Sequence, residues 1–224
     1  MKKNVHGCSA YHANLVARIS WHVRRKMFRC FMDTFSPNEK TRVLDVGVMG
    51  NALAEEIEAN YFEQLYPYPE MVTGVTQEDP SQLRKQFPLS NFTRADGRAL
   101  PFKDQSFDIV FSAAVVEHVG SRENQREFVR EACRVGKKVF ITTPNRFFPV
   151  EPHSYLPLIS YLPPRVFRRI LRTVGLLGLA KEEKLNLLSE RDFIQLFDSV
   201  AQPKIVRIPL CLLTQNLVAI VKKS

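Results

Sequence analysis

A hydrophobic stripe near the amino terminus gives the first structural signal in the chain. Apolar residues recur at every fourth position between residues 19 and 35, and a helix with 3.6 residues per turn brings such positions onto one face. The spacing predicts an amphipathic helix over residues 15–35, which ends at Ser36 because a residue before a proline disfavours helical geometry. The stripe consists of Ile19, Val23, Met27, Phe31 and Phe35.

Short apolar runs alternate with helical segments from residue 42 onward. Runs rich in β-branched and aromatic residues indicate strands, and strands separated by helices imply parallel βαβ units with right-handed crossovers. The last two strands are close in sequence and predict a hairpin. The predicted strands cover 42–47, 71–76, 91–95, 107–112, 138–142, 204–210 and 217–222, and the predicted helices cover 52–59, 80–86, 122–134, 165–174 and 190–197, with Ser189 as the cap of the last helix.

The segment 144–164 fits neither pattern, because it combines six prolines with several aromatic side chains. Proline removes a backbone donor and interrupts regular elements, and a long loop of this kind is more often functional than accidental. We therefore expect a substrate loop at 144–164. The expected organisation is a basic helical extension at 1–40 and one α/β domain at 41–224 that carries this loop.

Composition narrows the class of protein. A chain of 224 residues buries a core without disulfides or metals, and its four cysteines form no CxxC pair, so the sequence predicts neither a disulfide framework nor a metal site. No apolar signal-peptide core is visible, and the longest apolar run, 109–116, has the length of a strand. Scattered cysteines fit a reducing compartment, so we expect a cytoplasmic protein.

The net charge of +9 is concentrated at the front of the chain. Residues 1–42 hold nine Lys/Arg and two Asp/Glu, and residues 165–172 (RVFRRILR) form a second basic segment. Three interpretations stay open: the solvated face of a packed helix, contact with an anionic or lipid-linked substrate at a membrane surface, and nucleic-acid binding. Nucleic acid is the least favoured, because arginine and aromatic residues do not interleave in a recognised RNA-binding motif.

The first strand of the α/β region ends in a turn suited to a ligand. In the stretch VLDVGVMGNA, Asp45 at the end of the strand is followed by Gly47, and a glycine lets the backbone approach a ligand closely. The amino terminus of the next helix can receive a carboxylate or a phosphate. By itself this turn leaves cofactor binding and a plain tight turn both open.

Further motifs follow in order along the chain. The step Ala95-Asp96-Gly97 precedes LPFKDQSFDIVFSAAVVEHV at 100–119, and TPNRFFPVEPHS begins at residue 143. Together with the first turn, these motifs resemble the class I S-adenosylmethionine-dependent methyltransferases of the ubiquinone/menaquinone-type group (methyltransferase type 11) over residues 42–150. The resemblance implies an α/β, Rossmann-like sheet of seven strands, mostly parallel with the last strand antiparallel, with helices on both faces and with S-adenosyl-L-methionine as cofactor.

The resemblance also implies which residues would surround the cofactor. Asp45 and Gly47 would line its methionine and ribose side. Asp96 would accept a hydrogen bond from the adenine amino group, and Gly97 would allow the adenine to approach closely.

Residues near the transferred methyl group are implied in the same way. The end of the fourth strand, with Ser112 and Ala113, would pass beneath the sulfonium. Glu117 and His118 would lie at the rim between the cofactor and the acceptor.

Two places depart from the family's pattern. The glycine-rich turn usually reads D-x-G-x-G-x-G, whereas Met49 and Asn51 occupy two of its glycine positions here, with Gly50 between them. The second strand usually ends in an acid that binds the ribose hydroxyls, whereas Thr76 ends it here and either Glu78 or Asp79 would take the place of that acid. These departures keep open a non-catalytic binding or regulatory protein built on the same fold.

Methyl transfer from a sulfonium needs an acceptor that is held in line with the methyl group. A hydroxyl acceptor also benefits from a general base, and His118 and His153 are the candidates, with Glu151 positioned to orient His153. Structural roles remain as alternatives. Asp96 would then begin an Asx-turn, Glu117 would be a solvated acid of the next helix, and His118 would be a structural histidine.

The leading functional hypothesis is transfer of a methyl group to an oxygen of a small-molecule, lipid-linked or glycan-linked acceptor. The alternatives are the non-catalytic protein and a nucleic-acid methyltransferase. The chain lacks the N/D-P-P-Y/F motif used on amino groups of DNA bases and a Pro-Cys nucleophile for pyrimidine chemistry. It also lacks the G-x-G-x-x-G turn that an NAD dehydrogenase would need.

Overall fold

The computed structural model describes residues 6–50 and 60–222, with side chains described from residue 17 onward. Six α-helices and seven strands lie in these ranges. The helix expected at 52–59 falls outside the described residues, as does Asn51. The helices are α1 (His6–Phe35), α2 (Tyr61–Leu65), α3 (Ser81–Gln86), α4 (Arg122–Val135), α5 (Pro164–Thr173) and α6 (Glu190–Gln195).

The strands form one sheet with the order β3-β2-β1-β4-β5-β7-β6. Neighbouring strands from β3 to β5 pair in parallel, whereas β7 runs antiparallel to both β5 and β6. The expected Rossmann-like sheet, its antiparallel last strand and the closing hairpin are therefore confirmed. The strands are β1 (Val43–Val46), β2 (Val72–Thr76), β3 (Asn91–Arg94), β4 (Phe107–Ala113), β5 (Gly136–Pro144), β6 (Lys204–Leu210) and β7 (Leu213–Lys222).

Helices cover both faces of the sheet, and each face has its own apolar core. Because side chains alternate along a strand, Leu44 and Val46 of β1 pack with α4 and α6. Val43 points to the other face, where it packs with the apolar stripe of α1 and with α2. The stripe predicted from the sequence is thus the surface through which α1 joins the core, although Ile19 is only half-buried.

Two serines begin the helices on the α4 face. The Ser121 side chain accepts a hydrogen bond from the backbone of Asn124. Ser189 and Asp192 form a reciprocal capping box at the start of α6, which confirms the predicted cap at Ser189. Such caps satisfy backbone donors that the first turn of a helix leaves unpaired.

Helix α1 and strands β5 and β7 are longer than the sequence pattern predicts, and β5 extends by two residues at each end. Helix α1 begins at His6 and not at residue 15, because a helix, once nucleated, gains one hydrogen bond with each added residue. Strand β7 begins at Leu213 and not at residue 217. Its polar stretch 214–216 interrupts the apolar run, but the backbone there still pairs with Pro144 and with β6.

The substrate loop 144–164 has little regular structure beyond a short 3-10 turn at Ile159–Tyr161. Arg146 holds it in place by donating hydrogen bonds to the carbonyls of Ser160 (2.9 Å) and Leu162 (2.9 Å). No helix in the described part of the chain is long and apolar enough to cross a bilayer.

Candidate functional site

A cavity of about 370 Å³ opens at the carboxyl ends of β1, β4 and β5. Parallel strands deliver the loops that follow them to this edge of the sheet, which is where α/β proteins usually bind ligands. Helix α1 forms the opposite wall, and the substrate loop forms part of the rim. Five of the residues singled out from the sequence line this cavity: Asp45, Gly47, Ala113, His118 and His153.

Gly47 occupies a position that only glycine fits. Its φ of 105° lies in the region that side chains disfavour, and a Cβ built there would come within 2.2 Å of the Val115 side chain. The backbone N–H groups of Gly47 and Val48 both donate to the carbonyl of Val75 (2.9 Å each). The first strand therefore turns sharply beside the loop that follows β4.

The turn after Gly47 keeps a defined shape although Met49 replaces a glycine. The Asn60 side chain accepts a hydrogen bond from the Met49 N–H (2.8 Å) and donates one to the Met49 carbonyl (2.9 Å). This two-point clamp fixes the Met49 backbone from the start of α2. Asn60 lines the cavity and was not singled out from the sequence, because the clamp joins positions that only the fold brings together.

Two buried acids lie side by side at the cavity, where Asp45 lines the wall and Glu63 is buried next to it. Burial, followed by the neighbouring charge of Glu63, raises the pKa of Asp45 well above its usual range. Burial also raises the pKa of Glu63, whose carboxylate oxygens have no partner with hydrogen-bond geometry among the described residues. The pair therefore favours its protonated forms until a cation comes near.

A pair of histidines forms the opposite side of the site. The Nε2 atoms of His118 and His153 lie 3.1 Å apart. His118 reaches this position from the 3-10 turn Val116–His118 after β4, and His153 reaches it from the substrate loop. The two candidate bases, 35 residues apart in the chain, thus meet at the rim of one cavity.

Glu151 organises the segment that carries His153. One of its oxygens lies 2.6 Å from His153 Nδ1 and accepts from the His153 backbone N–H (3.0 Å), and the other accepts from the Ser154 N–H (2.6 Å). Burial lowers the pKa of His153, but the hydrogen bond to Glu151 and the charges of Glu117 and Glu151 outweigh it, and the pKa lies above its usual value. The contact between Glu151 and His153 that the sequence suggested is present.

Glu117 is fully buried behind the two histidines. One of its oxygens accepts a hydrogen bond from the Thr143 hydroxyl (3.0 Å), and the other lies 4.0 Å from His118 Nε2. Its place is fixed by backbone contacts, since the Asn186 N–H donates to the Glu117 carbonyl (2.7 Å). Glu117 is therefore not a solvated acid of the next helix.

Three of the predicted cofactor residues lie beside the cavity and do not line it. A Cβ built on Gly50 would lie 2.8 Å from a carboxylate oxygen of Glu78, so the turn after β1 and the segment after β2 are in contact. Thr76 is buried, and its hydroxyl accepts from the Glu78 N–H (3.2 Å). The exposed Glu78 is thus held next to the turn by the residue that replaces the family's acid.

Asp96 begins a turn at the end of β3. It accepts from the Arg98 backbone N–H (2.9 Å), as in an Asx-turn, and pairs with the Arg98 guanidinium (2.6 Å). The hydrogen bond from Arg98 holds the pKa of Asp96 below its usual range. Gly97 packs on Phe128 so closely that a Cβ would come within 2.6 Å of that ring. Neither residue lines the cavity.

Ser112 also lies away from the cavity surface. It is fully buried in β4, and its hydroxyl donates to the Val46 carbonyl (2.7 Å). It therefore ties β4 to the end of β1, next to the lining residue Ala113.

Helix α1 supplies cavity residues that sequence patterns could not reveal. Ser20 and Arg24 line the site and are joined by a side-chain hydrogen bond. The Arg24 guanidinium also lies 5.9 Å from the centre of the Tyr61 ring. In the sequence Arg24 belongs to a basic cluster that a solvated face explains equally well, and only the packing of α1 on the sheet turns it inward.

Comparison with known proteins agrees with this architecture. A protein-family profile described as a methyltransferase domain matches residues 44–139, and no curated protein matches the chain. Solved structures with the same fold include a protein from Pyrococcus horikoshii OT3, with 12% identity and a TM-score of 0.59 over 91% of this chain and 91% of that chain. Magnesium protoporphyrin IX methyltransferase from Synechocystis PCC 6803, solved with bound SAH, has 12% identity and a TM-score of 0.57 over 100% of this chain and 90% of that chain. The YcgJ protein from Bacillus subtilis has 18% identity and a TM-score of 0.54 over 83% and 71% of the two chains.

Proposed function

We propose that this chain, an S-adenosylmethionine-dependent methyltransferase, transfers the methyl group to an oxygen of a small-molecule, lipid-linked or glycan-linked acceptor. One observation carries the proposal. Asp45 lines one wall of the cavity with Glu63 buried next to it, and His118 and His153 meet at the rim. A cationic cofactor and a hydroxyl acceptor need these two kinds of group.

The residues present fit the cofactor. The Asp45–Glu63 pair suits the ammonium group of its methionine part, because an arriving cation stabilises ionised carboxylates. Gly47 lines the cavity and lets the turn after β1 pack directly against Val115. When bound, the cofactor supplies a methyl group on a sulfonium, with a neutral thioether as leaving group.

The rest of the cofactor contacts are proposed at the same edge of the sheet. Thr76, Glu78 and the nearby Gly50 would meet the ribose, and Asp96 with Gly97 would meet the adenine.

The histidine pair supplies a proton acceptor. The His118 Nδ1 lies 2.7 Å from the Lys184 carbonyl, and the His153 Nδ1 lies 2.6 Å from Glu151. Both partners accept, so both Nδ1 atoms donate, which leaves the Nε2 atoms of the neutral rings as the proton acceptors. A hydroxyl brought to this rim can give its proton to an imidazole as its oxygen attacks the methyl carbon.

Exposed side chains of the substrate loop and of α5 support a lipid-linked acceptor among the three classes. Phe147, Tyr155 and Leu158 of the substrate loop are exposed large side chains, and Arg165 and Arg169 of α5 are exposed nearby in sequence. Apolar side chains combined with cations are suited to the interface of an anionic membrane. Binding of these side chains to a membrane would bring the polar headgroup of a lipid-linked acceptor to the opening of the cavity.

The test supplies methyl-labelled S-adenosylmethionine to the purified protein together with three separate fractions: lipid-linked compounds, water-soluble small molecules and RNA. We expect label on oxygen in the lipid-linked fraction. His153→Ala should slow this transfer by about 100-fold, because a positioned base contributes at least that much. His22→Ala, a change at an exposed histidine of α1, is the matched control and should leave the rate unchanged.

Each other outcome has a defined meaning. Label in the water-soluble fraction, on oxygen, would support the reaction and remove the lipid-linked preference. Label on nitrogen or in RNA would overturn the oxygen acceptor, and equal rates for His153→Ala and His22→Ala would overturn the role of the histidine pair.

A further inference from the structure

The two histidines present their free ring nitrogens to each other. The Lys184 carbonyl can only accept, so His118 Nδ1 carries a hydrogen, and the same holds for His153 Nδ1 beside the Glu151 carboxylate. In the neutral rings both Nε2 atoms then carry lone pairs, and these atoms lie 3.1 Å apart. Two lone pairs at this distance repel each other unless a positive species lies between them.

A buried carboxylate oxygen points at the same place. Glu117 is fully buried, and its Oε1 has no hydrogen-bond partner among the residues that the structure describes. This oxygen lies 4.0 Å from His118 Nε2. A buried acceptor without a donor costs free energy. A positive group at the point that Glu117 and both histidines face would remove this cost.

We infer that Glu117, His118 and His153 bind a divalent transition-metal ion of the zinc type. Their three ligand atoms lie within 4.8 Å of one another. Two imidazoles and one carboxylate are the ligand set of a catalytic zinc site, in which the fourth position stays open. Because His118 and His153 line the cavity, the open position faces the space where the acceptor enters.

The surrounding contacts match those of a metal centre. A ligating histidine usually donates its other ring N–H to a carboxylate or to a backbone carbonyl, which fixes the ring, and Glu151 and Lys184 fill these two roles. A tetrahedral ion at about 2.0–2.1 Å from each nitrogen holds the two nitrogens roughly 3.3 Å apart, close to the observed 3.1 Å. Glu117 keeps its second oxygen on the Thr143 hydroxyl.

Metal binding deepens the proposed function and, for its catalytic role, rests on it. The ion would take the acceptor oxygen in its open position and lower the pKa of that hydroxyl, which would release its proton to water instead of to a free imidazole. Binding of the ion itself does not depend on which acceptor the enzyme uses.

The experiment titrates Zn²⁺ and, separately, Co²⁺ into the full chain after treatment with a chelator. Calorimetry follows Zn²⁺, and visible absorption reports the coordination of Co²⁺. We expect one equivalent to bind. His118→Ala, His153→Ala and Glu117→Gln should each weaken binding by at least about tenfold, and Glu151→Gln by about 10–100-fold, the usual loss when an outer partner of a ligand is removed.

Two matched variants control for metal held elsewhere. His22→Ala and Cys211→Ser change an exposed histidine and an exposed thiol that do not line the cavity and should retain wild-type affinity. Circular dichroism checks that each variant is folded.

The inference is overturned if the wild type takes up no stoichiometric ion, since a proton shared by the two histidines then accounts for their geometry. It is also overturned if the ligand variants bind as the controls do. Methyl transfer is not the readout, so a wrong acceptor in the proposed function leaves this result unaffected, and transfer that survives metal removal leaves the acceptor assignment standing.

Discussion

Asp45 and Glu63 show how two acids that look independent in the sequence become coupled in the folded chain. Asp45 was singled out because it ends the first strand before Gly47. Glu63 carried no signal, since an acid on a short helix is normally solvated. The fold buries both side chains, and burial raises the pKa of Glu63 to about 7.

Glu63→Gln tests this coupling through the pH dependence of stability. A carboxyl group whose pKa is raised in the folded state contributes stability that is fully present below its unfolded pKa of about 4.5 and is lost as the pH rises through 7. Between about pH 5 and about pH 8, wild-type protein without cofactor should lose up to ~3 kcal/mol of unfolding free energy relative to Glu63→Gln. Urea denaturation across this pH range measures the difference.

Glu123→Gln provides the control, because Glu123 is an exposed acid of α4. It should follow the wild type at every pH. If Glu63→Gln also follows the wild type, Glu63 ionises as an ordinary surface acid does, and its ionisation is not coupled to that of Asp45.

Helix α1 illustrates what hydrophobic periodicity can predict about an element. The four-residue spacing predicted its apolar face, and four of the five stripe residues are buried against the sheet, namely Val23, Met27, Phe31 and Phe35. The same spacing says nothing about the partner of that face. Only the fold shows that the face contacts Phe62 and Phe140 and that the adjacent Arg24 reaches the cavity.

Phe31→Ala tests the packing of this helix. The Phe31 ring is fully buried, with the rings of Phe62, Phe111 and Phe140 at centroid distances of 5.2, 5.4 and 5.5 Å. Its truncation should cost about 3–5 kcal/mol through lost burial and a cavity, measured by chemical denaturation. Arg25→Ala, at an exposed position of α1, should cost little, and similar losses for the two variants would show that α1 is not packed on the sheet.

The substrate loop marks the limit of element-level prediction. Its prolines and aromatic residues predicted a loop without regular structure, which is found apart from the turn at Ile159–Tyr161; its contact with the substrate stays a prediction. Its path depends on contacts that only the folded chain forms, such as those of Arg146 with the carbonyls of Ser160 and Leu162. For this reason the sequence could name His118 and His153 as candidate bases but could not predict that their Nε2 atoms lie 3.1 Å apart.

At the scale of the whole molecule, the sheet order explains why distant motifs converge. Strands β1, β4 and β5 are neighbours and parallel, so the motifs that follow them lie together at the carboxyl edge of the sheet. The order of the motifs resembles that of class I methyltransferases, and this resemblance predicted the sheet. The sequence departs from the family's pattern at Met49 and Thr76. In the folded chain the Asn60 side chain accepts from the Met49 N–H, and the Thr76 hydroxyl accepts from the Glu78 N–H.

The most direct test of the account is calorimetric titration of S-adenosylmethionine into the wild type and into Asp45→Asn. The variant keeps the shape of the side chain and removes its charge, and Asp104→Asn, at an exposed acid paired with Arg134, is the matched control. We predict wild-type and control affinities on the order of micromolar, and binding at least about tenfold weaker for Asp45→Asn, a loss of ~1.4 kcal/mol. Absence of binding to the wild type, or equal affinity for Asp45→Asn and Asp104→Asn, would contradict the placement of the cofactor in this cavity.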